Sequence, residues 1–375
     1  MEAYLKAISL LTAASSGRGF LASTRQHDNY KRVWTRDGVV NGLAALLTGN
    51  DFLVRTFRAT LETIFNHQHA SGFFPSNVGE DGSVSYGGTV GRVDNVAWGL
   101  IGLSQYTLKT GDKSLALKYK LQVERACLVM DAWEFNGKHL MYVPQSGDWA
   151  DEYIQHGYVL FDQLLRVWAL RLLARIYDEP PYQEKARTIE TVVKKNFWNR
   201  PGENSYYAPN LKHQMAHAPS TFWLMGFNPS RIYTQFDLQG NALALLLNMG
   251  HEEDASVLRY LNRLQQQTDN LLPSFFPSIG ERDWEMNELK NNYAYTFRNK
   301  PGEFHNGGLW PVWNGLACAA VFNKGDSPLA EQMYAKLITA VAANNWEFNE
   351  CLLSDTRQPV GVPYCAWSAG GVILA

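Results

Sequence analysis

Leu46-Leu47-Thr48-Gly49-Asn50-Asp51-Phe52-Leu53 ends one helical pattern and begins another. Apolar residues recur at helical spacing from Gly38 up to this point and resume from Asp51 beyond it. The connection is Thr48-Gly49-Asn50, and glycine beside asparagine is turn chemistry for an antiparallel helix pair. The same construction returns at Thr110-Gly111-Asp112, Asp178-Glu179-Pro180, Met249-Gly250-His251 and Lys324-Gly325-Asp326. Between these tight links lie long gaps: Ser15–Asp37, Ser71–Asp94, Asp131–Gly157, Trp198–Leu238, Gln267–Gly308 and Asn344–Ala366. Helical patterns begin near Glu2, Gly38, Asp51, Asn95, Lys113, Tyr158, Pro181, Gln239, Glu252, Leu309, Ser327 and Trp367. Strand signals are short and confined to the gaps, as in Gly82-Ser83-Val84-Ser85-Tyr86.

Roughly six helix hairpins in series predict a closed ring, an all-α fold of (α/α)6 toroid type. No motif repeats in the wording of the sequence, so the repetition is structural. With helices running alternately up and down, every long gap emerges on one face, which is where loops over a rigid scaffold build sites. No Pro/Ser-rich linker interrupts the chain, and residues 1–375 read as a single (α/α)6-barrel catalytic domain.

Composition narrows the function. The 375 residues carry a formal net charge of -2, with no Lys/Arg run, which argues against a nucleic-acid partner. Aromatic content is 13%, with 12 Trp, 18 Tyr and 18 Phe, enough ring faces to line a cleft. Cys127, Cys318, Cys351 and Cys365 show no metal-ligand spacing and no CxxC, so thiols in a reducing compartment are expected and no metal site is. The start, MEAYLKAISLLTAASSG, reads as an amphipathic helix rather than a signal peptide, and no apolar run is long enough for a bilayer. A cytoplasmic protein with no membrane partner is expected.

The long gaps hold the chemistry. Ser146-Gly147-Asp148-Trp149-Ala150-Asp151-Glu152-Tyr153 sets three carboxylates around a tryptophan. Charged groups are seldom buried unless paired, although Asp148 or Asp151 also suits a helix cap. The first gap ends on Trp34-Thr35-Arg36-Asp37 and the second on Arg92-Val93-Asp94 with Trp98 one turn on. Each is an Arg/Asp/Trp set, the combination that grips vicinal sugar hydroxyls: carboxylates accept, arginine donates in a fork, and the indole stacks on the ring. The fifth gap contains Glu303-Phe304-His305-Asn306-Gly307-Gly308-Leu309-Trp310-Pro311, where paired glycines imply special dihedrals or a close ligand. The sixth contains Glu347 and Glu350 and closes at Trp367. Gathered on one face, these residues form a cleft for a neutral polyhydroxylated ligand. Hydrolysis of a glycosidic bond there needs one protonated carboxyl and one ionised one. The acid needs apolar or like-charged surroundings, which Trp149 and Asp148 supply to Asp151.

Asn29-Tyr30 to Arg36-Asp37, Gly91-Arg92-Val93-Asp94, Trp149-Ala150-Asp151, His305-Asn306-Gly307-Gly308-Leu309-Trp310-Pro311 and Asp355-Thr356-Arg357 to Ala366-Trp367-Ser368 resemble the alkaline/neutral invertase family. They resemble glycogen-debranching glucosidases more distantly. The resemblance touches most of the chain, and the HNGGxWP run is its most specific part. It implies an inverting (α/α)6-barrel glycosidase that uses an aspartic acid and a glutamate base. The acid's slot falls on Asp151. The base's slot falls on Glu350, with Glu347 and Glu303 as alternatives because the spacing to Asp355 is stretched. Arg36, Asp37 and Asp94 are implied to hold the glycone, with Asp148, Glu303, His305 and Asn306 as further binding residues. Trp34, Trp149, Trp310 and Trp367 are expected to wall the pocket. The chain is shorter than most relatives, so the resemblance supports an inverting glycosidase more firmly than it supports sucrose.

The leading expectation is an inverting α-glycosidase on a small α-glucoside, with sucrose first and a glucosyl-polyol, glucosylglycerate or α-1,6-glucoside as alternatives. No cofactor is required. A sugar epimerase or isomerase on the same toroid is the rival, and it needs paired bases, for which His156, His217 and His305 are available. The outer flanks of helical rings often pair, so a homo-oligomer is an open expectation.

Overall fold

A computed structural model describes residues 1–200 and 207–375; part of the gap expected at Trp198–Leu238 therefore lies outside the described residues. The helices are α1 (Glu2–Ala13), α2 (Thr35–Thr48), α3 (Asp51–Asn66), α4 (Asp94–Thr110) and α5 (Ser114–Lys118). There follow α6 (Lys120–Ala132), α7 (Leu160–Tyr177), α8 (Pro180–Asn196), α9 (Lys212–Met215) and α10 (Leu238–Leu246). The last are α11 (His251–Thr268), α12 (Glu285–Lys290), α13 (Pro311–Asn323), α14 (Ser327–Ala342) and α15 (Ala366–Leu374).

Six helices make a closed cycle of contacts. Helix α2 packs on α4, α4 on α7, α7 on α10, α10 on α13, α13 on α15, and α15 returns to α2. Five of the others pack outside it: α1 on α15, α3 on α2, α8 on α7, α11 on α10 and α14 on α13. The two layers differ in pattern. Inner helices are buried on all sides, α4 without interruption from Asp94 to Ser104 and α7 from Leu160 to Val167. Outer helices keep one apolar stripe, such as Leu53, Phe57, Leu61 and Ile64 on α3. The tight links turn through the left-handed region, with φ 64° at Gly49 and 74° at Gly111.

Close crossings need small residues. A methyl group added at Gly315 on α13 would sit 2.0 Å from the carbonyl oxygen of Gly371 on α15. Backbone cannot yield there as a side chain does. Gly315→Ala is expected to destabilise the chain by about 3 kcal/mol, the upper range for overpacking a core. A lowered urea midpoint would show it, and an unchanged one would mean that the two helices do not cross there.

The all-α expectation needs correction, because the long gaps contain small antiparallel sheets. The largest orders Tyr158–Val159, Leu224–Phe227, Ile232–Asp237 and Phe275–Phe276 side by side. Most of these strands are two residues long, too short to show a period in sequence. They knit the long gaps together. Trp34 pairs with Asn77, Val159 with Gly226, and Phe236 with Phe276. Val93 N–H donates to Gly147 O, and Leu309 and Leu352 exchange hydrogen bonds. The long gaps thus meet at one end of the ring, where the inner helices begin.

Candidate active site

The first turns of the inner helices carry the charge. Arg36 and Asp37 open α2, and Asp94 opens α4. Arg36 Nη1 donates to Asp94 Oδ2 at 2.7 Å, with side chains only 9% and 0% exposed. The same guanidinium lies 5.7 Å from the ring of Trp367 on α15. Arg36 Nε and Asp94 Oδ1 are buried without a protein partner. Such a pair is poor evidence for stability, since desolvation offsets its attraction. Burial pushes the Asp37 carboxyl up to about 6, although Arg36 and its own N–H pull the other way.

Asp148 folds the loop that carries Asp151. Its Oδ1 accepts from Ala150 N–H at 2.9 Å and its Oδ2 from Gln155 Nε2. Burial, then the nearby Asp94 charge, raise the Asp148 carboxyl well above the carboxylate range. Asp151 is differently placed. It stands on a turn, its side chain 36% exposed, and accepts from Arg92 Nη2 at 2.5 Å. Arg92 Nη1 also donates to the Ser146 and Val90 carbonyls. The sheltered surroundings expected for Asp151 therefore belong to Asp148, because the turn lifts Asp151 out of the aromatic cluster.

Glu350 is buried in the gap before α15. Tyr30 O–H donates to its Oε1 at 2.6 Å. Burial pushes its pKa up to about 7, against the Tyr30 hydrogen bond and the Arg298 charge. Arg298 also donates to Glu152 Oε1 at 2.8 Å, so one guanidinium connects the residue after Asp151 with the surroundings of Glu350. The alternatives for the base are placed less well. Glu347 accepts from Asn344 beside the end of α14, and Glu303 sits half-buried in a turn.

The aromatic residues form a floor rather than walls. Trp149, Trp310 and Trp367 are 3%, 2% and 3% exposed. Trp310 stacks on His305 at 5.3 Å, and Trp149 stands edge-on to both. Trp310 Nε1 is committed to the Phe304 carbonyl, whereas Trp149 Nε1 and Trp367 Nε1 have no protein partner among the described residues. Of the four expected wall residues, only Trp34 is partly exposed. Burial, then the charges of Arg298, Arg36 and Arg92, depress His305 well below the usual imidazole range, so it is neutral at pH 7. Its Nδ1 also lacks a protein partner among the described residues. Asn306 does not face the cleft. Its amide accepts from Ile279 N–H and donates to the Ile279 and Asn299 carbonyls, which locks the loop instead. Gly307, at φ 90°, completes that turn.

The three histidines that an isomerase would need are not brought together. His156 is engaged by Tyr233 and Asn228, His217 is exposed beyond α9, and His305 lies in the tryptophan cluster. No group of His, Cys, Asp and Glu fit for a metal occurs among the described residues. Sequence pattern assigns no role to Tyr30 or Arg298. Their proximity to the quoted acids in sequence was the available signal, but their partners are distant along the chain.

Comparison with known proteins adds the following. The profile of the alkaline and neutral invertase family matches residues 208–372. A mitochondrial alkaline/neutral invertase C of Arabidopsis thaliana is 22% identical over 85% of this chain and 56% of its own length. Cytosolic invertase 1 of Oryza sativa subsp. japonica is 22% identical over 92% of this chain and 71% of its own. The chain spans only 63% and 56% of the first two Arabidopsis relatives. In structure, a mannosylglycerate hydrolase from Thermus thermophilus superposes with a TM-score of 0.70 at 14% identity, covering 99% of both chains. A bacterial glucoamylase superposes with a TM-score of 0.65 at 15% identity, covering all of this chain and 54% of that one. By sequence, then, this chain is similar to the alkaline and neutral invertases, and it shares its fold with several glycosidases.

Proposed function

We propose that this chain is an inverting glycoside hydrolase acting on a small α-glucoside, with sucrose the first substrate to test. We read residues 1–375 as one (α/α)6-barrel domain. The observation that carries the proposal is that one guanidinium links two carboxyl-bearing loops: Arg298 donates to Glu152, next to Asp151, and its charge acts on Glu350. Glu350 is buried with a pKa near 7, and Asp151 is accessible and held by Arg92. Beside them, Arg36 Nε and Asp94 Oδ1 are a buried donor and acceptor awaiting partners. Vicinal hydroxyls, each both donor and acceptor, would complete them.

In this reading Asp151 protonates the bridging oxygen, and Glu350 takes a proton from the water that attacks the anomeric carbon. The Arg92–Asp151 pair opens as substrate enters. The two carboxyls are expected roughly 6.5–9.5 Å apart once substrate and water are in place. Arg36, Asp37 and Asp94 hold the glycone over the tryptophan floor. No step needs paired histidines, and the three available ones sit apart, which weakens the isomerase alternative.

The pH profile tests the roles. A base works only when ionised, so kcat/KM should fall as pH drops through about 7 if Glu350 is the base. If the roles were exchanged, with Glu350 as acid, kcat/KM would fall as pH rises through the same value. A screen of sucrose, trehalose, maltose, isomaltose, glucosylglycerate and glucosyl-polyols, read by the anomer first released, tests substrate and stereochemistry together. Release of the retained anomer would overturn inversion.

Cytoplasmic residence is part of the proposal. Four free cysteines support it, and no described helix is long and apolar enough to cross a membrane. The named relatives include a cytosolic and a mitochondrial protein.

A further inference from the structure

Beside Asp151 lies a cavity of about 590 Å³ that the glycone and the two carboxyls leave unused. Its walls are Phe73, Val90, Val93, Trp133, Tyr142 and Pro144, with Phe135 at the rim and Arg92 at one end. This volume suits a small organic group. The lining is mostly apolar, and four of its eleven residues are aromatic.

The groove is built to keep its shape. Trp133 and Tyr142 lie on one hairpin, closed by a hydrogen bond from Tyr142 N–H to the Trp133 carbonyl at 2.9 Å. Between them Glu134 is buried and pinned by Arg166 Nη2 at 2.7 Å and Lys185 Nζ at 2.6 Å. Phe73, also in the lining, stacks on His69 at 4.3 Å. Phe135 is unusual in two respects. It is 78% exposed, and its φ of 55° places a bulky residue in the left-handed region. That conformation is unfavourable for phenylalanine, so the hairpin holds an apolar ring in water at a cost.

Arg92 joins this groove to the reaction. It both lines the cavity and contacts Asp151. The oxygen that Asp151 protonates departs with the leaving group, so the leaving group lies on the Asp151–Arg92 side. A fructosyl or glyceryl group would bring hydroxyls needing partners there. The walls offer Ser71 and Arg92, and Arg92 Nη1 stays committed to the Ser146 and Val90 carbonyls when its pair with Asp151 opens.

We propose that this groove is the aglycone site and selects glycosides whose leaving group is a flat, apolar ring, of the class of benzylic and fused-ring alcohols. The inference rests on the hydrolase reading for its chemistry and places an aryl-alkyl glucoside ahead of sucrose in preference; the groove can also be tested without turnover. Benzyl and methyl α-glucoside leave as alcohols of similar basicity, so their comparison reports binding rather than leaving-group reactivity. The native chain is expected to favour the benzyl compound in kcat/KM by about tenfold, the scale of one or two aromatic contacts. Phe135→Ala, a change at an exposed position, should bring that ratio close to one. Equal rates for the two glucosides in the native chain would overturn the proposal. If neither is hydrolysed, the hydrolase reading is decided by sucrose and the other natural glycosides of the screen, and calorimetry with 2-naphthol decides the groove. Binding that weakens in Phe135→Ala supports it; no binding, or binding indifferent to the change, overturns it.

Discussion

Glu350→Gln is expected to lower kcat by about 10³- to 10⁴-fold while the folded chain becomes no less stable. Glutamine keeps the shape and still accepts the Tyr30 hydrogen bond through its carbonyl oxygen, but it cannot take a proton from water. The stability side follows from burial. The Glu350 pKa rises from 4.5 to about 7 on folding, chiefly through desolvation. The native chain therefore binds this proton more tightly than the unfolded chain does. Its contribution is fully present below about 4.5 and is lost as pH rises through about 7, a change of about 3 kcal/mol. Glutamine removes that dependence. Urea unfolding at pH 5 and pH 8 should show native stability falling with pH more steeply than that of Glu350→Gln. Asp37 and Asp237, raised to about 6 and about 7 mainly by burial, add slope of the same sign in both proteins. Wild-type kcat in Glu350→Gln would remove Glu350 from the reaction.

Asp151→Asn is the second large effect, and its size should depend on the leaving group. A donor of protons matters most when the departing oxygen is strongly basic. For an alkyl glucoside the loss is expected to be about 10³-fold or more, and for 4-nitrophenyl α-glucoside far smaller, because a nitrophenolate leaves with little help. Glu350→Gln should impair both substrates alike, since both need activated water. Stability should change by less than about 1 kcal/mol, as the Arg92 pair is open to solvent on the Asp151 side. Equal losses on the two substrates would dismiss Asp151 as the acid.

Much of the ring was readable because helices announce themselves locally. Every helical pattern read from the sequence has its helix within a few residues, from Glu2 to Ala366, since the apolar period and the Gly, Asn, Asp and Pro links survive in any context. The four-stranded sheet escaped because its outer strands are two residues long and its longer ones, Leu224–Phe227 and Ile232–Asp237, do not alternate strictly between buried and exposed positions. The site divides in the same way. Arg36, Asp37 and Asp94 stand out as repeated Arg/Asp/Trp sets at gap ends. Their burial, and the ion pair spanning 58 positions, exist only once α2 and α4 stand adjacent. Tyr30 reaches Glu350 across 320 positions, a partnership that no local pattern encodes. The tryptophans were legible as aromatic but not as floor, because exposure depends on what closes over them. Asn306 was legible as polar, but its amide is consumed by two loop backbones.

On its own the sequence determined the helical hairpins, their order and the end of the ring where the long gaps meet, because periodicity, turn residues and charge at gap ends are properties of neighbours in the chain. Tertiary structure alone decided which carboxyl is sheltered, which arginine holds which acid, and that an apolar groove opens beside Asp151. Those depend on desolvation and on distances between segments far apart in sequence, and both arise only when the ring closes.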